Sequence, residues 1–418
     1  MCRKTMPVVA LSLALAVLFG LGLTHALAQE RDPGTAPAPQ GEATVGQQEE
    51  GAPAAEGEQE ATEEAEGAEA TAELEPIPAS FDFEAGILSP HWVAYGAETA
   101  LEIVTEPGQA LGGRGALQFS YMPAENALPF VTVAPLQVVG EPTVLRFALK
   151  TDGLSSIRYA VHEQDGTSYE GYCYAPPGQW IRVEAALSEM MLAQDSNDEN
   201  AKLDGGQISG ITVMDLCNLP GEIGRALGIK QGRQRLWLDD IELTHGAAPL
   251  RSSRQPDGTV IVDDFEGQVA CFLPIGAPDV EFVPGAPAAG DRGACRIVYR
   301  LGGHRWVGLV RGVGHLDLSG LQEFCLLLNA QHRARLVAVL EEWDGSKYET
   351  NVDLDPEAGW TEVALPIAQY VLDPQTDDEN RQLDLDQIRV VILVVDTFNA
   401  SVNAMGEGSF TISRMSFR

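Results

Sequence analysis

The chain is short of basic residues, of aromatic residues and of long apolar runs, and each shortage removes a class of function. Only 27 lysines and arginines stand against 61 aspartates and glutamates, for a formal net charge of −34. A phosphate backbone is bound through a basic footprint, so a nucleic-acid partner is excluded. After one apolar run at residues 8–23 no stretch approaches the roughly 18 to 20 apolar residues that a spanning helix needs. Histidines are few and scattered, with no H-E-x-x-H or similar metal-binding spacing. Glu341 and Glu342 are adjacent on a strand and point to opposite faces, which is wrong for an acid and base acting on one glycosidic bond. No enzyme and no catalytic cofactor are expected.

The N-terminus explains the early apolar run. Arg3 and Lys4 precede it, and the small-x-small triplet Ala26, Leu27, Ala28 follows it, which predicts a cleavable signal peptide over residues 1–28. The product is expected outside the cytoplasm, as an extracellular, periplasmic or cell-surface protein without a transmembrane anchor. Cys2 precedes the apolar run and is therefore not a lipid-anchor cysteine. Residues 29–77 are nearly all Ala, Glu, Gly, Gln, Thr and Pro, with Arg31 as the one basic residue and no aromatic residue. Such a segment buries too little apolar surface to offset chain entropy and is predicted to be a disordered acidic linker.

Beyond the linker the chain repeats itself. Asp82-Phe83-Glu84 aligns with Asp264-Phe265-Glu266, Gly113-Arg114-Gly115-Ala116 with Asp291-Arg292-Gly293-Ala294, and Asp165-Gly166 before Tyr169 with Asp344-Gly345 before Tyr348. Gly178-Gln179-Trp180 aligns with Ala358-Gly359-Trp360, and Asp198-Glu199-Asn200 before Leu203-Asp204 with Asp378-Glu379-Asn380 before Leu383-Asp384. Ordered matches at near-constant spacing mean two copies of one unit. We place the first module at 78–246, a connector at 247–257 and the second module at 258–418. Short β-branched and apolar runs at 144–149, 157–161, 336–340 and 390–395, broken by Gly, Pro, Asn and Asp, predict an all-β sandwich in each. Asp165-Gly166 and Asp344-Gly345 are hairpin turns. Helical periodicity is brief, near 185–194 and 364–371. Trp180 and Trp360 are assigned to the core.

Five cysteines follow the signal peptide. Pairing within modules would join Cys173 to Cys217 and Cys271 to Cys295 and leave Cys325 buried in the strand at 324–328; the alternative is five buried free thiols.

The opening Asp-Phe-Glu strand, the Gly-rich turn, the DG…Y hairpin, the Trp strand, the DEN…LD loop and the closing run at 238–243 together resemble the galactose-binding-like jelly roll. This fold is used by non-catalytic carbohydrate-binding modules, here in two tandem copies. The resemblance implies a structural calcium in the first module, held by oxygen ligands from Asp82, Glu84, Asp239 and Asp240, with ordinary capping carboxylates as the alternative. In the second module Ser413 and Arg414 stand where the two closing aspartates would be, and Arg414 is expected to replace the ion opposite Asp264 and Glu266. The DEN…LD loops lack the glycine and closing glutamate of an EF-hand and read better as polar turns.

Sugar recognition needs a strand face with aromatic platforms and planar polar groups. In the strand at 169–174 alternation puts Glu170, Tyr172 and Tyr174 on one side, and the neighbouring strand adds Arg158 and His162. These five are the candidate ligand surface; the competing reading is that strand tyrosines simply pack against neighbours. The second module has Glu349, Asn351 and Asp353 at the matching positions, with Trp343 and Trp306 as possible aromatic substitutes. The expectation is a carbohydrate-binding protein for a polysaccharide or cell-envelope glycan. The alternative is an envelope or extracellular scaffold with no sugar ligand.

Overall fold

The computed structural model describes residues 74–124, 128–217, 227, 230–267, 269–276, 278–286, 290–301, 306–396 and 407–418. The segments predicted above as a signal peptide and, but for its last four residues, as an acidic linker lie outside them. From Glu75 onward the described chain forms one compact unit built of two β-sandwiches.

In the first sandwich one sheet runs Met191–Leu192, Ser168–Ala175, Ser155–Glu163, Ile208–Asp215, Phe130–Val133, Trp92–Tyr95. The other runs Ile181–Ala186, Val144–Thr151, Gln234–Thr244, Ala116–Met122, Ala97–Val104, with Ser80–Phe81 also pairing Gln234–Thr244. The second sandwich repeats the plan. Its first sheet runs Leu273–Ile275, Trp306–Gly312, Ile388–Asp396, Ala334–Glu342, Lys347–Leu354, Val371–Leu372, and its second is centred on Glu407–Phe417. Sequence alternation accounts for both cores. Val131 and Val133 point inward with Ile157, Val161, Ile211 and Val213, and Leu336, Ala338 and Leu340 do so with Val391, Leu393 and Val395.

Both Asp-Gly turns join antiparallel neighbours, Ser155–Glu163 to Ser168–Ala175 and Ala334–Glu342 to Lys347–Leu354. The two short helical patterns contract to single 3-10 turns, Leu187–Glu189 and Ile367–Gln369. Trp180 and Trp360 are half-buried rather than fully enclosed, and Lys150 lies 5.9 Å from the Trp180 ring.

The repeat extends to backbone strain. Phe83 and Phe265 have φ of 54° and 52°, and Ala201 and Arg381 have 49° and 55°, a region that side chains with a Cβ rarely occupy. A Cβ on Gly115 would lie 2.2 Å from the Phe83 carbonyl oxygen, and one on Gly293 would lie 2.3 Å from that of Phe265. Glycine at each position is therefore what lets the strained opening turn close over the next strand.

Cys173, Cys217, Cys271, Cys295 and Cys325 are unpaired in this structure, so the within-module pairing of Cys173 with Cys217 and Cys271 with Cys295 is not found. Cys325 is buried in its strand, as expected.

Candidate functional site

Alternation in Ser168–Ala175 falls as predicted. Tyr169 and Cys173 enter the first module's core, while Glu170, Tyr172 and Tyr174 point away from it. What they meet there is the second module. Tyr172, Met191, Met214 and Leu216 share one buried cluster with Leu273, Trp306, Val339, Val390 and Ile392, and Tyr174 joins the second module's own core. Tyr172 and Tyr174 are each 7% exposed and Glu170 is 1% exposed. The inner sheets of the two sandwiches thus pack against each other, and most of the candidate ligand face is the seam between them.

The polar members of that face form an ionic knot. Glu170 takes the Arg158 Nε–H at 2.5 Å and the Tyr172 hydroxyl at 2.6 Å, while Arg389 of the second module reaches it at 3.4 Å. Arg389 also donates to Gln194 Oε1 at 2.8 Å and lies 5.0 Å from the Trp343 ring centroid. One carboxylate between two guanidiniums leaves no isolated buried charge. His162 stands apart from the knot, bonded to Ser168 Oγ at 2.8 Å and Thr212 Oγ1 at 2.7 Å. Burial, helped by the Arg158 charge, lowers its pKa to about 4, so it is neutral near pH 7.

Two surfaces remain open beside the seam. The larger is a cleft of about 980 Å³, walled on one side by Tyr169, Leu192, Lys202 and Gln207 and on the other by His315 and Trp343. Trp343 follows the last residue of Ala334–Glu342, and its backbone N–H bonds Gln387 O at 2.9 Å. Gly314 makes room for the ring, because a Cβ there would come within 2.7 Å of it. His315 accepts or donates to Ser252 at 3.2 Å, and Ser252 is tied in turn to Glu189; burial and then Arg311 lower the His315 pKa to about 4. The second surface is the margin of the first module's inner sheet, where Tyr95, 38% exposed, stacks on Phe130 at 4.5 Å. Tyr95 was not singled out by sequence. Its alternation with core residues Trp92 and Ala94 is the signal that could have found it. At the positions matching the first module's candidate face, Glu349, Asn351 and Asp353 are exposed, and Asp353 pairs with Arg335 at 2.6 Å.

The four carboxylates of the expected calcium site do not meet at a common point. Glu84 accepts from the Arg114 N–H at 2.8 and 3.0 Å and from the Gly115 N–H at 3.3 Å. Asp239 accepts from Leu111 N–H at 3.0 Å and Asp240 N–H at 2.8 Å. Asp82 accepts from the Glu84 N–H, and Asp240 pairs with Arg182 at 3.3 Å. Glu84 and Asp239 pin the glycine-rich loop at 111–115 from two sides with N–H donors where an ion would need free lone pairs. In the second module Arg414 faces Asp291 at 3.6 Å, not Asp264 or Glu266.

Among the described residues, the carboxylates that do converge are Glu342, Asp344 and Asp378, with oxygens within 4.8 Å of one another. This cluster can hold a metal ion. It sits where the DEN…LD loop folds onto the Asp-Gly hairpin: Glu342 accepts from Asp384 N–H at 2.5 Å and from the Ser346 hydroxyl, and Asp378 accepts from the Tyr348 hydroxyl. Burial raises the Glu342 pKa, with Asp344 and Asp378 adding to the rise.

No family profile and no curated protein matches the chain. Solved structures similar to it include carbohydrate-binding modules and parts of two agarases. The family 11 module of Clostridium thermocellum in complex with a β-1,3-1,4-mixed-linked tetrasaccharide is 16% identical over 40% of this chain and 97% of its own, with a TM-score of 0.31. The CBM22-1–CBM22-2 tandem domain of Paenibacillus barcinonensis Xyn10C is 13% identical over 81% of this chain and 96% of its own, with a TM-score of 0.26. TmCBM61 in complex with β-1,4-galactotriose is 16% identical over 40% of this chain and 94% of its own, with a TM-score of 0.27.

Proposed function

We propose that this protein is an exported, non-catalytic carbohydrate-binding protein whose glycan lies in the cleft at the seam, with Trp343 as the platform for a sugar ring. The cleft is the observation that carries the reading. It is concave, it is large enough for a short oligosaccharide, and it sets an indole beside hydroxyl-matching groups, the Gln207 amide, the Lys202 ammonium and the neutral His315. A polysaccharide or cell-envelope glycan is the ligand class. The non-catalytic reading is supported by Glu341 and Glu342, which have separate structural duties: Glu341 is buried 3.8 Å from Lys347, and Glu342 anchors the loop. Calcium is the ion that hard carboxylate donors such as Glu342, Asp344 and Asp378 would take.

A second reading has its own support. Two inner faces spent on each other make a stiff two-module body, which suits an extracellular scaffold. Glycan-array binding by the chain from residue 29 onward, with and without a calcium chelator, separates the two. We expect binding that falls at least tenfold in Trp343→Ala while its melting curve stays near wild type. A weaker signal with chelator would tie the ion to the site. Loss in Tyr95→Ala instead of Trp343→Ala moves the site to the sheet margin, and silence on every glycan favours the scaffold.

A further inference from the structure

The seam also brings together two of the five mature cysteines. Among the described residues one main-chain hydrogen bond joins the two modules, from the Tyr174 N–H to Ala270 O at 3.1 Å. Cys173 precedes the donor and Cys271 follows the acceptor. Residues 270–272 are not a paired strand, but an antiparallel course past the edge of Ser168–Ala175 sets those two neighbours opposite each other, the arrangement a disulfide requires.

The run after Ala270 has the required direction. Cys271 lines a small cavity with Glu170, Gly171 and Tyr172, and Leu273 and Ile275 pack in the same cluster as Tyr172. A parallel course would carry these residues past Ala175 instead.

The side-chain face is also shared. Cys173 is fully enclosed on the core side of its strand, the side of Tyr169 and Gly171. The Tyr159 ring end lies over Gly171, 2.5 Å from where a Cβ would sit, and it stands next to both thiols: burial raises its pKa first, then Cys271 and Cys173 do. The remaining cysteines have other company. Cys217 lies by Asp215 and Lys230, Cys295 by Asp263, and Cys325 by Arg418 and Glu362.

We propose that Cys173 and Cys271 are the site of a disulfide that staples the two modules across their seam. Cys271 is the more exposed of the two thiols; burial raises its pKa, and Arg251 and Arg311 beside it oppose that rise by favouring the thiolate. That thiolate attacks one sulfur of a small disulfide oxidant such as oxidised glutathione and expels one glutathione thiolate. Cys173, deprotonated in turn, attacks the Cys271 sulfur of the mixed disulfide and expels the second. Two cysteine thiols are oxidised to one disulfide, and one oxidised glutathione is reduced to two thiols.

The test incubates the chain from residue 29 onward with oxidised glutathione, denatures it without reductant, alkylates with iodoacetamide and maps peptides by mass spectrometry. The expected product joins the Cys173 and Cys271 peptides and leaves Cys217, Cys295 and Cys325 alkylated. Alkylation of Cys173 and Cys271 to the same extent as the other three, a lasting glutathione adduct, or a bond from either to a different cysteine overturns the proposal. A thermal melt gives an independent readout: dithiothreitol should lower the melting temperature of the oxidised wild type and leave Cys271→Ser unmoved, whereas an equal shift in both contradicts the staple.

Discussion

Single residues at the seam carry opposing electrostatic duties. Glu170 compensates both Arg158 and Arg389 in a place that water does not reach, so Glu170→Ala takes from two buried cations the carboxylate that pairs with both, leaving only the more remote charges of Asp195 and Glu341. Urea denaturation should show a loss of about 3–5 kcal/mol, far beyond the effect of removing an exposed pair such as Arg335 and Asp353. His162 works through its proton. Its folded pKa, about 4, lies below the ordinary 6.5, so the unfolded chain binds the proton more tightly than the native one. Its contribution to stability is therefore complete above about 6.5 and is lost progressively as the pH falls toward 4. Replacing it with glutamine should flatten that part of the stability profile, and an unchanged slope would show that the imidazole is not the group that titrates.

At the scale of elements the repeat makes a symmetric prediction. Asp198 accepts from the Tyr169 hydroxyl and from the Asn200 and Lys202 N–H groups at 3.1 Å, and Asp378 does the same for Tyr348, Asn380 and Gln382. Asp198→Ala and Asp378→Ala should each cost about 1–3 kcal/mol in chemical denaturation by taking the partner from a tyrosine hydroxyl and from the Asn200 or Asn380 N–H, while the Lys202 and Gln382 N–H groups keep the asparagine Oδ1 at 2.7 and 2.6 Å. A cost confined to one module would mean that the two loops are not equivalent. The strands, the Asp-Gly hairpins and these loops were legible in sequence because alternation and turn chemistry are local. The seam was not, because alternation assigns Glu170 and Tyr172 to the outward face without saying what covers it. A signal was present in Ile388–Asp396, which reads IRVVILVVD and is apolar on both faces. That is the mark of a strand buried on both sides, and it identifies the second module's outer-looking face as one that needs a cover. The calcium set is a related case: the resemblance implied four carboxylates at one end of the sandwich, and only the structure shows backbone N–H groups bonded to Asp82, Glu84 and Asp239 there.

For the whole molecule, packing the inner sheets together decides where a ligand can go. A protein with two independent strand faces would offer two like sites; this one has a common seam with a cleft at its edge, where Tyr169 and Gln207 of one module oppose Trp343 and His315 of the other. Hydroxyl-radical footprinting of the chain with and without a bound glycan tests that account most directly. Tyr172 should be unreactive in both states, while Trp343 should be oxidised in the free protein and protected in the complex. A Tyr172 that reacts in the free protein and is shielded by glycan would mean that the strand face is open and binds the sugar, contrary to the seam described here.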